Sequence, residues 1–265
     1  MKKFLLIVSL SLMVNMIFSF DFKIVDDLNH NGNHTEALKM LKQEHNNAAP
    51  DAGIIWRTAR AQFEIAESLD KSKKNEKIAQ YTEAMEFLKP YLDIQTGAPT
   101  DRAHIAFYYA TNLGSRSKVI GISESLETIP DLKKYADKAI SIDPSMASAY
   151  FLKAKIEEGV PSFLGGDKFT MGELFFQAIT NNPSDLTIVF DAASAFYDRN
   201  WDSKKKTAMS QKIGTKTNDF IIKDDRSIAK ELIENGIKTY KTLTNPSKRE
   251  KNQYTNMMAL LTKFK

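Results

Sequence analysis

The chain reads as an all-α protein, built from tetratricopeptide-like (TPR-like) helical hairpins that stack into a right-handed α–α superhelix. Three observations predict this. First, one punctuation mark recurs: Asp143-Pro144-Ser145, Asn182-Pro183-Ser184 and Asn245-Pro246-Ser247. Proline pushes the preceding residue out of the helical region and cannot continue a helix, while the following serine can cap the next one. Second, Lys138-Ala139-Ile140 and Gln177-Ala178-Ile179 precede the first two marks, with the alanine five residues before the proline each time. A stop–cap–helix unit repeated at roughly 34–40 residues is the pattern of a helical array. Third, 11 Gly and 8 Pro in 265 residues are too few for a turn-rich β fold.

The elements follow in order. Met1–Ser19 carries Lys2-Lys3 ahead of the apolar run Phe4–Phe18, so residues 1–20 are expected to be a signal peptide. A cleaved leader is the first reading and a retained N-terminal anchor the second; either places the body outside the cytoplasm, periplasmic or secreted. Residues 21–265 are then one TPR-like domain. Its first unit, about 22–50, has Ile24, Val25 and Leu28 on one face, a turn at Asn31-Gly32-Asn33, and Ala37, Leu38 and Leu41 on the return. The second, about 53–99, carries Trp56, Ala59, Arg60 and Phe63, then Ala84, Phe87, Leu88 and Tyr91, with Asp70–Lys77 as a charged loop.

The third unit, about 100–143, is capped by Thr100 and holds Ile105, Tyr108, Tyr109 and Asn112. Gly114–Pro130 reads as an insertion and Asp131–Asp143 as the return helix. The fourth, about 145–183, opens at Ser145 with Ala149, Phe151, Leu152 and Ile156, turns through Gly159–Asp167, and returns with Phe169, Leu174, Phe175, Ala178 and Ile179. The fifth, about 184–216, has Val189, Ala192, Ala193 and Phe196, and a polar return helix from about Ser203. A last pair, about 225–265, supplies the cap that solenoids require.

Composition narrows the chemistry. The absence of cysteine excludes disulfides, thiol catalysis, thiolate metal sites and lipidation at an N-terminal Cys. The net charge of +4 is uneven: residues 201–265 hold 15 Lys/Arg against 7 Asp/Glu, and residues 1–200 hold 22 against 26. The basic residues alternate with acids and apolar positions, as on solvated helix faces, and nucleic acid is not the expected partner. His30 and His34 flank the turn glycine Gly32 without a companion Glu, so no metal is expected. No nucleophile elbow, phosphate loop or paired-carboxylate arrangement is present, so neither catalysis nor a cofactor is expected. Asn33-His34-Thr35 matches a glycosylation sequon, a weak three-residue pattern.

Aromatic residues concentrate in units three to five. Most belong to a core, but tyrosine often lines a groove or an interface. The candidate binding residues are Tyr108, Tyr109, Tyr150, Phe151, Phe163, Phe196 and Tyr197, on an expected concave surface. Gly165, Gly166 and Asp167 join them as a loop with left-handed freedom and a helix-capping acid.

Tyr135–Ala139, Pro161, Gly165-Gly166-Asp167, Phe175–Ile179 and Pro183 together resemble the TatT component family of tripartite ATP-independent periplasmic (TRAP) transporters. The likeness covers about 130–200. It implies an exported accessory protein that docks a periplasmic substrate-binding subunit and holds an apolar small ligand. Self-association is a further expected contact of the chain. The chain departs from that family in lacking a lipidation Cys and in the Lys run after Trp201. The alternative is a generic TPR scaffold for cell-envelope assembly. Both readings are of a binding protein, not an enzyme.

Overall fold

The computed structural model describes residues 20–47, 49–214 and 218–264. The expected leader at Met1–Ser19 lies outside them. Among the described residues the chain is all-helical, with no strand. Helices α1 (Phe22–His30) and α2 (His34–Asn47) flank the Asn31-Gly32-Asn33 turn, and α3 (Ala52–Ser68) and α4 (Lys74–Leu88) follow. The helix α5 runs Pro99–Ile120, α6 Ile122–Glu127 and α7 Ile129–Ile142. Next come α8 (Ala147–Gly159), α9 (Lys168–Asn181), α10 (Leu186–Arg199), α11 (Ser203–Ile213) and α12 (Asp219–Ile222), then α13 (Asp225–Thr242) and α14 (Lys248–Leu261). None of the described helices is long and apolar enough to cross a membrane.

From α1 to α10 each long helix packs on its neighbours in sequence, with α3 also touching α5. Alanine makes this possible. Ala37, Ala59, Ala84, Ala110, Ala136, Ala139, Ala149 and Ala178 are all fully buried, at positions where a larger side chain would hold the backbones apart. Aromatic residues fill the C-terminal core. Phe220 lies 5.7 Å from Phe169 and 5.9 Å from Phe196, and Phe175 lies 6.3 Å from Phe196, ring centre to ring centre.

Several expectations are corrected. Ser145 and Ser184 are not caps. Asp143 Oδ1 accepts from the Ser145 amide (3.0 Å) and hydroxyl (2.6 Å), and Asn182 Oδ1 does the same for Ser184. The residue before the proline thus ties the turn, and helices α8 and α10 begin further on, after Met146, which makes no side-chain cap bond, and Asp185, which accepts from the Thr187 and Ile188 amides. The third mark does follow the expectation: Ser247 caps α14 in a reciprocal capping box with Glu250. Thr100 is not a cap, because α5 starts one residue earlier with Pro99 in its first turn.

The Gly114–Pro130 segment, expected as an insertion, is helical. Gly114 lies inside α5, where its missing side chain leaves room for Leu132, and the rest forms the end of α5, the short α6 and the first residues of α7. The fifth unit does not return through the segment from Ser203. Helix α10 packs against α13 and α14, while α11 packs against α12, because the apolar face opposite α10 is supplied by Ile228, Ala229, Ile233 and Ile237. Helix α11 is polar, and its inward group is a charge.

That charge sits in a buried cluster. Asp225 and Lys206 are fully buried. Asp225 Oδ1 accepts from Arg199 Nη2 (2.7 Å) and Lys206 Nζ (3.0 Å), and Oδ2 from Arg199 Nε (2.7 Å) and the Trp201 amide (2.9 Å). Burial alone would raise the Asp225 carboxyl, but the Arg199 guanidinium outweighs it and holds the group below the ordinary range. Lys206, the end of a Lys run that looks solvated in the sequence, therefore joins α11 to α13.

Candidate functional site

Among the described residues, a polar groove of about 860 Å³ opens between the N-terminal helices and α14. One wall is built by α1 and α3. Asp26 on α1 accepts from Arg57 Nε (3.1 and 3.2 Å) and from Arg60, both on α3. Burial raises the Asp26 carboxyl, yet the hydrogen bonds from Arg57 and Arg60 prevail and leave it below the ordinary carboxylate value. The two arginines are three apart, so they share a helix face, and their guanidinium planes lie over rings. Arg57 is 4.2 Å from the Phe22 centroid and 4.3 Å from that of Trp56, and Arg60 is 4.8 Å from that of Trp56.

Trp56, itself buried, supports the floor from beneath. Its indole Nε1 donates to Asp101 Oδ1 at 2.7 Å, and its ring stacks on His104 (4.3 Å) and lies nearly parallel to Tyr108 (5.7 Å, 10°). Burial pushes the His104 imidazole below its ordinary value and the Tyr108 phenol well above its own. Toward the α1–α2 turn, His34 Nδ1 donates to Asn29 Oδ1 at 3.0 Å, and burial lowers that imidazole too.

The second wall comes from the other end of the chain. Asn245, Ser247 and the first turn of α14, with Lys248, Arg249 and Lys251, face the N-terminal hairpin. Two polar contacts bridge the walls. His30 Nε2 donates to the Asn245 carbonyl at 3.0 Å, and Arg249 Nη2 donates to both Glu64 carboxylate oxygens at 3.0 and 2.9 Å. A smaller cavity of about 250 Å³ continues from Ser247 and Arg249 to the α9–α10 turn at Asn182 and Asp185. Among the described residues no group of three or more His, Asp or Glu is arranged to hold a metal ion.

The ten residues singled out in the sequence are spread over several environments. Tyr108 alone lines the groove. Tyr109 packs on Tyr135 at 4.5 Å. Tyr150 and Phe151 rest against the cluster of Ala147, Ala178 and Ile188, and Phe196 is fully buried. Tyr197 meets Phe264 at 5.1 Å and lies under the Arg226 guanidinium at 3.6 Å. Phe163 is 87% exposed beside the Gly165-Gly166-Asp167 loop.

Packing accounts for that loop. Gly165 has φ +90°, and a Cβ on Gly166 would stand 1.8 Å from the Val160 carbonyl oxygen. Asp167 caps α9 by accepting from the Phe169 amide at 2.8 Å, and the buried Glu157 accepts from the Asp167 amide at 3.1 Å.

The groove residues that sequence reasoning missed divide into two kinds. Asp26 with Arg57 and Arg60 had a signal, since two arginines on one face of an otherwise apolar helix need an acid. Glu64 with Arg249 and His30 with Asn245 had none, being 185 and 215 residues apart.

The model of the family described as Regulator of microtubule dynamics protein 1-3 matches residues 21–155. No curated protein matches the chain. The family match overturns the resemblance to the TatT component of TRAP transporters. With it fall the accessory role, the docked periplasmic substrate-binding subunit and the envelope-scaffold alternative. The physical reason is visible in the fold. Gly165-Gly166-Asp167 and the spaced Phe and Ala are what a tight turn, a cap and a close helix crossing demand of any helical hairpin, so they carry no family signal, and most of that stretch lies beyond the matched segment. The match covers more than half of the chain, which belongs to the regulator of microtubule dynamics protein 1-3 family.

Proposed function

We propose that the chain acts without catalysis, by binding a protein partner in the groove between its N-terminal hairpin and the start of α14, and that the partner belongs to the microtubule system. The observation that carries the reading is the groove itself: an open, polar cavity of about 860 Å³ whose two walls come from opposite ends of the chain. Tyr108 lines its floor, a residue type enriched where proteins contact a polypeptide. The partner class is taken from the family's description alone. The finer architecture belongs to the same proposal. Helices packed on their sequence neighbours, with alanine at the crossings, form a TPR-like right-handed superhelix whose curvature brings the two ends together.

The test places a photo-crosslinking amino acid at Tyr108 and, as a control on another surface, at Phe163. Both variants are incubated with tubulin dimers and with assembled microtubules, followed by sedimentation and mass spectrometry. Tubulin or a microtubule-bound protein is expected to be cross-linked from position 108 and not from 163. Equal labelling from both positions, or none from 108, defeats the groove reading.

A further inference from the structure

The first turn of α14 breaks a local rule. Lys248, Arg249 and Lys251 stand at the positive end of the helix dipole, where cations are unfavourable and acids are favoured. The one acid there, Glu250, is spent on the capping box, where it accepts from the Ser247 amide at 2.6 Å and hydroxyl at 2.8 Å. Departures from local consistency that the fold itself does not need tend to mark function. Here all three cations face the groove. Among the described residues Lys248 and Lys251 pair with no acid, and the acid that holds Arg249 is Glu64. The arginine side chain of that pair is 57% exposed, so the pair is screened and weak.

The acids on the opposite wall are engaged. Asp26 is held by Arg57 and Arg60, and Glu67 accepts the Tyr81 hydroxyl at 2.6 Å. The groove is thus left with a surplus of positive charge on one side and a competitor for it on the other. We propose that the basic wall of α14 takes an acidic segment of another protein chain, and that Glu64 holds its place until such a segment displaces it from Arg249. This rests on the groove reading above and names the chemistry of its partner. A polypeptide fits better than a nucleic acid. An unbroken run of phosphates entering the groove would face the carboxylates of Asp26, Glu64 and Glu67, whereas a protein segment can turn acidic side chains to one wall and backbone donors to the other. The adjoining cavity toward Asn182 and Asp185 gives an extended segment room to continue.

The experiment measures fluorescence anisotropy of a labelled twelve-residue Glu-rich peptide with the full chain. A Gln-rich peptide and a single-stranded oligonucleotide of equal length serve as comparators. The Glu-rich peptide is expected to bind at least tenfold more tightly than either comparator and to weaken as salt rises. The charge reversals Lys248→Glu and Lys251→Glu, combined, are expected to weaken it at least tenfold. Glu64→Gln is expected to tighten it, by up to about fivefold, because the resident competitor is gone. Equal binding of the Gln-rich peptide or the oligonucleotide overturns the proposal. So does a Glu64→Gln variant that folds normally by circular dichroism yet binds no more tightly. A partner cross-linked from position 108 that does not compete with the Glu-rich peptide sinks this inference and leaves the groove reading standing. Failure of both assays sinks both.

Discussion

Substituting Asp225 with Asn isolates what holds the C-terminal third together. The carboxylate accepts four hydrogen bonds, two at each oxygen, from Arg199, Lys206 and the Trp201 amide. Asparagine keeps the shape, loses the charge and replaces one acceptor oxygen by an NH2 donor that points at other donors. Two cations are then left together, with Lys206 fully buried and the Arg199 side chain 3% exposed. Removing one partner of a buried ion group costs roughly 3–5 kcal/mol, because the remaining charge is desolvated without compensation. For a chain of this size that corresponds to a fall in Tm of about 6–20 °C.

Urea unfolding followed by circular dichroism measures it, with Lys204→Ala on the exposed part of the same Lys run as the control. Adding Lys206→Met to Asp225→Asn removes one of the stranded cations and is expected to recover a substantial part of the loss. A cost below about 1 kcal/mol for Asp225→Asn, or no recovery in the double variant, would refute the claim that this cluster locks α11 to α13.

Two further predictions concern glycine geometry and pH. Gly166→Ala drives a Cβ into the Val160 carbonyl oxygen and is expected to cost about 1–3 kcal/mol. Gly159→Ala has open space at the end of α8 and is expected to be neutral or stabilising by about 0.5–1 kcal/mol. Thermal melts of the pair check both signs. The His104 imidazole is depressed by burial against Trp56, so between its folded value and the ordinary 6.5 the unfolded chain binds more protons. Stability from this group is present above pH 6.5 and is lost as pH falls through the folded value. Urea midpoints measured from pH 7.5 downward should therefore decline more steeply in the parent than in His104→Phe; parallel curves would refute the assignment.

Much of the helical architecture was legible because it is written in local chemistry. Proline stops, Asp and Ser caps, and alanines and aromatics at 3.6-residue spacing depend on neighbours within one or two turns. The Asn31-Gly32-Asn33 turn, the Asp167 cap and the helices around Ala139 and Ala178 follow from such short-range rules. The same locality explains the misreadings. Whether the helix starts right after Ser145 or one residue later, after Met146, is a difference of one residue in the turn, and the pattern of residue types is the same either way. The TRAP resemblance failed for a related cause: it rested on residues that any close helix crossing requires.

What only the tertiary structure decided is which distant segments meet. Nothing in the order of residues says that α10 turns to α13 rather than α11, that Lys206 is buried against Asp225 instead of solvated, or that Arg249 reaches Glu64 across 185 positions. Those choices depend on which apolar faces meet between helices far apart in the chain, such as that of α13 against α10. The groove exists because the start of α14 lies against α1 and α3, and its charge is set by which cations that contact leaves unpaired.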